Sequence, residues 1–189
     1  AKDLLCCSND EVDIALDNAI DAKMLVQKES DGRKFLFLPE IYIAESTIAQ
    51  RINIMTHYPP TQNEIFSSEI FAFEQANNIS FDDKQRHAIE IAVNKGLLIL
   101  TGGPGTGKTT TVKGIINLMK NRGLNVALAA PTGRAAKRMS EVTGRKAKTI
   151  HRLLEVEWGD GDRQIFTRNL ENPLEADAVI VDELSMVDT

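Results

Sequence analysis

Residues 97–123 constrain this chain most: an unbroken apolar run gives way to a glycine-rich octet and then to a helical pattern. Leu97-Leu98-Ile99-Leu100-Thr101 shows no polar alternation, as expected of a strand buried on both faces of a parallel sheet. Gly102-Gly103-Pro104-Gly105-Thr106-Gly107-Lys108-Thr109 follows and fits the pattern Gly-x4-Gly-Lys-Thr. A helix is expected from about Lys108 to Arg122, with Gly123 as its C-terminal cap residue. The glycines let the backbone turn sharply and direct its N–H groups inward, and the helix adds the positive end of its dipole. Such a loop cradles phosphate. Lys108 is placed to neutralise β- and γ-phosphate oxygens, and the Thr109 hydroxyl to ligate Mg2+. ATP and Mg2+ are therefore the expected cofactors, held by Gly103, Pro104, Gly105, Thr106, Gly107, Lys108, Thr109 and Thr110.

Two further strands are legible, Val126–Ala130 and Ala178–Val181. The second ends in Asp182-Glu183, which puts one carboxylate near the metal and a second where it can polarise an attacking water. Lys108, Asp182 and Glu183 are the expected catalytic residues, and Thr109 with Asp182 the expected Mg2+ ligands. Alternating strands and helices from residue 81 to 189 imply an α/β fold: a P-loop NTPase parallel sheet with helices on both faces.

The N-terminal part reads differently. Ser8-Asn9-Asp10-Glu11 is a capping-box pattern ahead of Val12, Ala15, Leu16, Ala19 and Ile20 at helical spacing. Leu25–Glu29 and Phe35–Leu38 flank the turn signal Ser30-Asp31-Gly32-Arg33, which predicts a β-hairpin. Pro39 then opens a helix over roughly residues 39–56, with Ile43, Ile48, Ile52 and Met55 available for burial. Residues 1–56 thus form a small, mainly helical module of winged-helix-like order, suited to a structural or docking role. Residues 57–80 read as a linker with room for a short helix over 61–76.

Charge is unevenly distributed. Residues 1–80 hold six basic and thirteen acidic side chains, whereas residues 131–152 carry seven basic side chains against Glu141 alone. That basic stretch is a candidate for nucleic-acid phosphates. Cys6 and Cys7 are adjacent and cannot staple a fold, and no metal-ligand spacing is present. No apolar run reaches about 18 residues and no signal pattern opens the chain, so a cytoplasmic protein without a membrane partner is expected.

Gly102–Thr110, Ala130–Ala136, Lys148–Leu154 and Val181–Asp188 resemble, in order, motifs I, Ia, Ib and II of superfamily 1 helicases. The wording is most similar to the RecD-like helicases, the family of the exodeoxyribonuclease V alpha subunit, over roughly residues 80–189. Leu184 departs from the small residue expected after the Asp-Glu pair, while both carboxylates are kept. The resemblance implies that Gln85 recognises adenine. It implies that Pro131, Thr132, Gly133, Arg134, Thr149 and His151 contact single-stranded DNA. It further implies a RecA-like sheet, 5′ to 3′ movement, a role in repair and recombination, and a strand-separating hairpin near residues 155–167. There Asp160 and Asp162 sit at the tip, and Trp158 is expected to pack against the domain. DNA single strands and duplex ends, with other repair proteins, are the implied partners.

Two other readings stay open on sequence alone: a P-loop ATPase that remodels proteins or acts as a switch, and a docking subunit with a vestigial ATP site. The chain also stops at Thr189, just past motif II. Read as a piece of a longer protein, it is expected to bind nucleotide weakly and to hydrolyse negligibly.

Overall fold

The structure, a computed structural model, describes residues 8–60, 64–103, 105–159 and 164–187. The chain divides into two compact units after His57.

The first unit begins with α1 (Asn9–Asp21). Ser8 Oγ accepts from the Glu11 N–H at 3.3 Å, and the Glu11 carboxylate accepts from the Ser8 N–H at 2.8 Å. Two otherwise orphaned amides are satisfied by this reciprocal pair, as the sequence pattern predicts. Strands β1 (Val26–Ser30) and β2 (Arg33–Phe37) pair antiparallel with Ser30 opposite Arg33. That register leaves a two-residue turn, Asp31-Gly32, with φ of +51° and +70°. A tight hairpin turn of this hand needs positive φ at both positions, which Asp-Gly supplies cheaply. Helix α2 (Pro39–His57) follows, but none of its residues is buried. Ile43, Ile48, Ile52 and Met55, the expected core face, are between 41% and 63% exposed.

The second unit is built on α3 (Ser67–Asn77), α4 (Asp83–Asn94), α5 (Lys108–Asn121) and a parallel sheet. The sheet order is β4 (Ala147–Thr149), β3 (Val126–Ala130), β7 (Ala178–Val181). Neighbouring Ala129 and Ala130 point to opposite faces of β3 and are both fully buried, so the central strand is covered on both sides. The core joins Phe66, Phe81, Ile89 and Ile115 from the helical side to Val126, Leu128 and Met139 around the sheet. Helix α6 (Gly133–Thr143) runs between β3 and β4, and the single turn α7 (Ile150–Leu153) follows β4. Gly123 ends α5 at φ +76°, its N–H donating to Lys120 O and the Leu124 N–H to Met119 O. This is the left-handed stop that the sequence predicts.

Sequence-based expectations are corrected at two stretches of backbone in the second unit. Residues 64–80 are no bare linker: Phe66 and Ile70 are buried in the second unit, and α3 packs on α5. Asn78 closes α3 in the left-handed conformation. Residues 97–101 adopt no strand. The described sheet is β4-β3-β7, and residues 97–101 are hydrogen-bonded as a strand to none of the three. Leu98 packs on the core, whereas Ile99 is 75% exposed. Strand β4 was hidden in the basic stretch.

The hairpin expected near residues 155–167 is formed by β5 (Val156–Trp158) and β6 (Gln164–Phe166), with Trp158 opposite Gln164. Trp158 is 68% exposed and does not pack against the domain as expected. Asp160 and Asp162 at the tip lie outside the described residues, as does Pro104.

Candidate functional site

The glycine-rich loop turns on Gly105 and Gly107, with φ of +77° and +76°. Gly102 is needed for space as well, because a Cβ there would lie 2.7 Å from Thr106 Oγ1. That hydroxyl donates to Gly103 O at 2.9 Å. The Lys108 ammonium sits inside the turn, donating to Gly102 O at 2.5 Å and Gly103 O at 2.7 Å. Helix α5 starts immediately, with Gly107 as N-cap and no side chain capping it. Its first N–H groups have no partners within the helix. The first N–H groups of α5 and the Lys108 ammonium therefore meet at this turn, donors of the kind that nucleotide phosphates take. Thr109 is exposed and Thr110 half-buried at the head of α5. Thr111, beneath them, is 1% exposed and spends its hydroxyl on Gly107 O at 3.2 Å.

Gln85 lies in the first turn of α4, close to the loop. Its Oε1 accepts from the Asp82 N–H at 3.0 Å, and its Nε2 donates to Thr106 O at 3.2 Å.

The sheet gathers the remaining candidates at its carboxyl edge. Ala130 lies opposite Thr149, and Ala129 opposite Val181. Pro131–Arg134, Thr149–His151 and Asp182–Glu183 therefore leave three adjacent strands at the same end. The Asp182 N–H donates to Ala129 O at 3.0 Å, fixing the strand exit, while Asp182 Oδ1 accepts from the Glu183 N–H at 3.0 Å. Glu183 adopts φ +55° and both carboxylates are exposed. Among the described residues, no group of three His, Cys, Asp or Glu is arranged to hold a metal. One carboxylate and one hydroxyl suit Mg2+, which keeps waters and takes substrate phosphates as its other ligands.

Thr132 and Thr149 act first as helix caps. Thr132 Oγ1 accepts from the Ala135 N–H at 3.2 Å and Thr149 Oγ1 from the Arg152 N–H at 3.2 Å. Gly133, Arg134 and His151 are exposed beside them. Between the two caps lies a pocket of about 440 Å3 lined by Gly133, Ala136, Lys137, Lys146, Ala147, Lys148, Thr149 and Arg152. Four of these side chains are cationic. The residue-by-residue reading of the motifs missed Lys137, Lys146, Lys148 and Arg152 as pocket residues. The local charge excess was their only signal, because their convergence depends on β4 pairing beside β3.

Comparison with known proteins agrees with this arrangement. The AAA domain family matches residues 85–189. The chain is 35% identical over 183 residues to the ATP-dependent RecD2 DNA helicase of Deinococcus radiodurans, covering 92% of the chain and 25% of that protein. It is 39% identical over 128 residues to the RecBCD enzyme subunit RecD of Mycolicibacterium smegmatis, covering 56% of the chain and 23% of the relative. The corresponding subunit of Buchnera aphidicola from Acyrthosiphon pisum is 29% identical over 176 residues, at 82% and 28% coverage. The chain thus spans about a quarter of the length of these relatives. With the glycine loop, the Asp-Glu strand end and the parallel sheet in place, the chain belongs to the AAA domain family of P-loop NTPases, in its RecD-like superfamily 1 branch.

Proposed function

We propose that this chain supplies the nucleotide-binding half and part of the DNA track of an ATP-dependent DNA helicase that moves 5′ to 3′. One observation carries the reading: a glycine-rich loop carrying Lys108 and a cationic pocket occupy the same compact unit, the pocket against β4 and Asp182–Glu183 at the carboxyl end of β7 in the same sheet. Its relatives include a protein called a DNA helicase, and the polarity comes from the family resemblance.

In this mechanism Lys108 exchanges the Gly102 and Gly103 carbonyls for β- and γ-phosphate oxygens, while the glycine-loop amides and the start of α5 hold the polyphosphate. Bound Mg2+ would neutralise charge between those phosphates, with Thr109 and Asp182 as its protein ligands. Glu183, exposed at the strand exit, orients and polarises the attacking water. Gln85 turns its amide to the adenine edge. Pro131, Thr132, Gly133, Arg134, Thr149 and His151 border the strand path, with the pocket lysines and Arg152 taking backbone phosphates. The exposed Trp158 suits a hairpin that meets a duplex end. RecBCD subunits among the relatives make other repair proteins the expected partners.

The test is ATP turnover by the full-length protein with and without single-stranded DNA. Stimulation that disappears in Lys108→Ala is expected. Turnover indifferent to DNA would instead favour a protein remodeller or switch, and wild-type protein that binds no ATP would leave only a docking role.

A further inference from the structure

Gln85 is more than a side chain near a nucleotide loop. Its amide is held at both ends within the protein, the oxygen accepting from the Asp82 N–H and the nitrogen donating to the Thr106 carbonyl. Thr106 in turn holds Gly103 through its hydroxyl, and Gly103 O is one of the two carbonyls that seat Lys108. A continuous chain of hydrogen bonds therefore runs from the first turn of α4 through the loop to its lysine. Packing confirms how closely Gln85 approaches: a Cβ on Gly107 would sit 2.3 Å from Gln85 Nε2. Gly107 is glycine for its left-handed φ, and any side chain there would also push this amide aside.

We propose that Gln85 is a positioning residue for the phosphate loop, bracing its backbone through Thr106, so that it governs phosphate affinity even when no base is present. The inference rests on reading the loop as a nucleotide site and deepens it. A side chain that only reads adenine has no influence on a ligand without a base. A brace does, because an unheld Thr106 carbonyl leaves the loop to find its binding geometry at the ligand's expense.

The deciding experiment titrates the whole chain with magnesium tripolyphosphate and, separately, with magnesium ATP. Gln85→Ala is expected to weaken tripolyphosphate about fivefold, the worth of one hydrogen bond, and ATP at least as much. Asp82→Ala serves as the second variant. It removes the carboxylate that caps α4, at a similar cost to the helix, yet keeps the Asp82 N–H and the Gln85–Thr106 bond. Unchanged tripolyphosphate affinity in Asp82→Ala is the expected result. The inference is overturned if Gln85→Ala weakens ATP alone. It is equally overturned if Asp82→Ala weakens tripolyphosphate as much as Gln85→Ala does. Wild-type protein that binds neither ligand overturns the nucleotide reading and the inference together.

Discussion

Arg86 on α4 reaches back to Glu74 on α3, with its Nη2 2.8 Å from Glu74 Oε1. The same carboxylate oxygen accepts from the Phe81 N–H at 2.6 Å, and Glu74 is only 3% exposed. Arg86 Nε also donates to Phe81 O, so a single pair pins the loop between the two helices. Arg86→Ala leaves a buried carboxylate with one donor and is expected to cost about 2 kcal/mol, moderated by the exposure of the guanidinium. Glu74→Gln keeps an acceptor for both partners and should cost about 1 kcal/mol. Urea unfolding midpoints measure both, and an unchanged midpoint for Arg86→Ala would show that the pair contributes nothing.

Gly114 makes a second stability test, with opposing terms. A Cβ there would lie 2.8 Å from Ile89 Cδ1 and 2.9 Å from Phe81 Cζ, both in side chains of the core. Replacing a mid-helix glycine by alanine ordinarily gains about 1 kcal/mol, but overpacking a filled core costs about 1–3 kcal/mol. Gly114→Ala is therefore expected to destabilise, read as a lower thermal midpoint. A higher midpoint would mean that Phe81 and Ile89 yield freely.

Acid should loosen the start of α1. The Ser8 N–H and then its hydroxyl donate to Glu11 and hold that carboxyl below its usual value near 4.5. A group whose folded pKa is depressed contributes stability above its unfolded value, and loses it as pH falls through the folded value. Exchange protection of the first-turn amides should thus fall as the pH drops below the usual value near 4.5. Glu11→Gln should flatten that dependence. A profile that is the same in both proteins would remove Glu11 from the account.

The basic pocket makes a prediction about salt. On a single strand, each backbone phosphate that the protein neutralises adds about 0.7 to the steepness with which log affinity falls against log salt. Lys146→Ala combined with Arg152→Ala should reduce that steepness by about 1.4 if each side chain takes one phosphate, measured by fluorescence anisotropy with a labelled oligonucleotide. An unchanged slope would place the strand elsewhere.

What sequence made legible were features set by short-range chemistry. The Ser8–Glu11 box, the Asp31-Gly32 turn, the Gly123 stop and the Gly105/Gly107 loop all depend on residues within a few positions of one another. Strands β3 and β7 were readable because apolar runs bounded by loops leave few alternatives. Long-range compensation was not legible. Glu74 breaks the apolar stripe of α3, and nothing local says that Arg86, 12 residues on, makes its burial tolerable. Leu97–Thr101 shows the converse, since composition can favour a strand only where a neighbouring strand completes it. The Lys146–Arg152 pocket likewise required the pairing of Ala130 with Thr149, which charge counting could not supply.

Four helices begin on side chains that satisfy their opening amides: α1 on Ser8, α4 on Asp82, α6 on Thr132 and α7 on Thr149. Helix α5 begins on Gly107 with no such group. An anion seated in the loop would complete α5 from outside the chain, so ligand occupancy and fold stability become one equilibrium. At a hundredfold excess over its Kd a ligand adds about 2.7 kcal/mol, more than the roughly 1 kcal/mol typical of a capping residue. Concentration of the bound species then sets how firmly the central helix starts, and melting temperature becomes a gauge of loading.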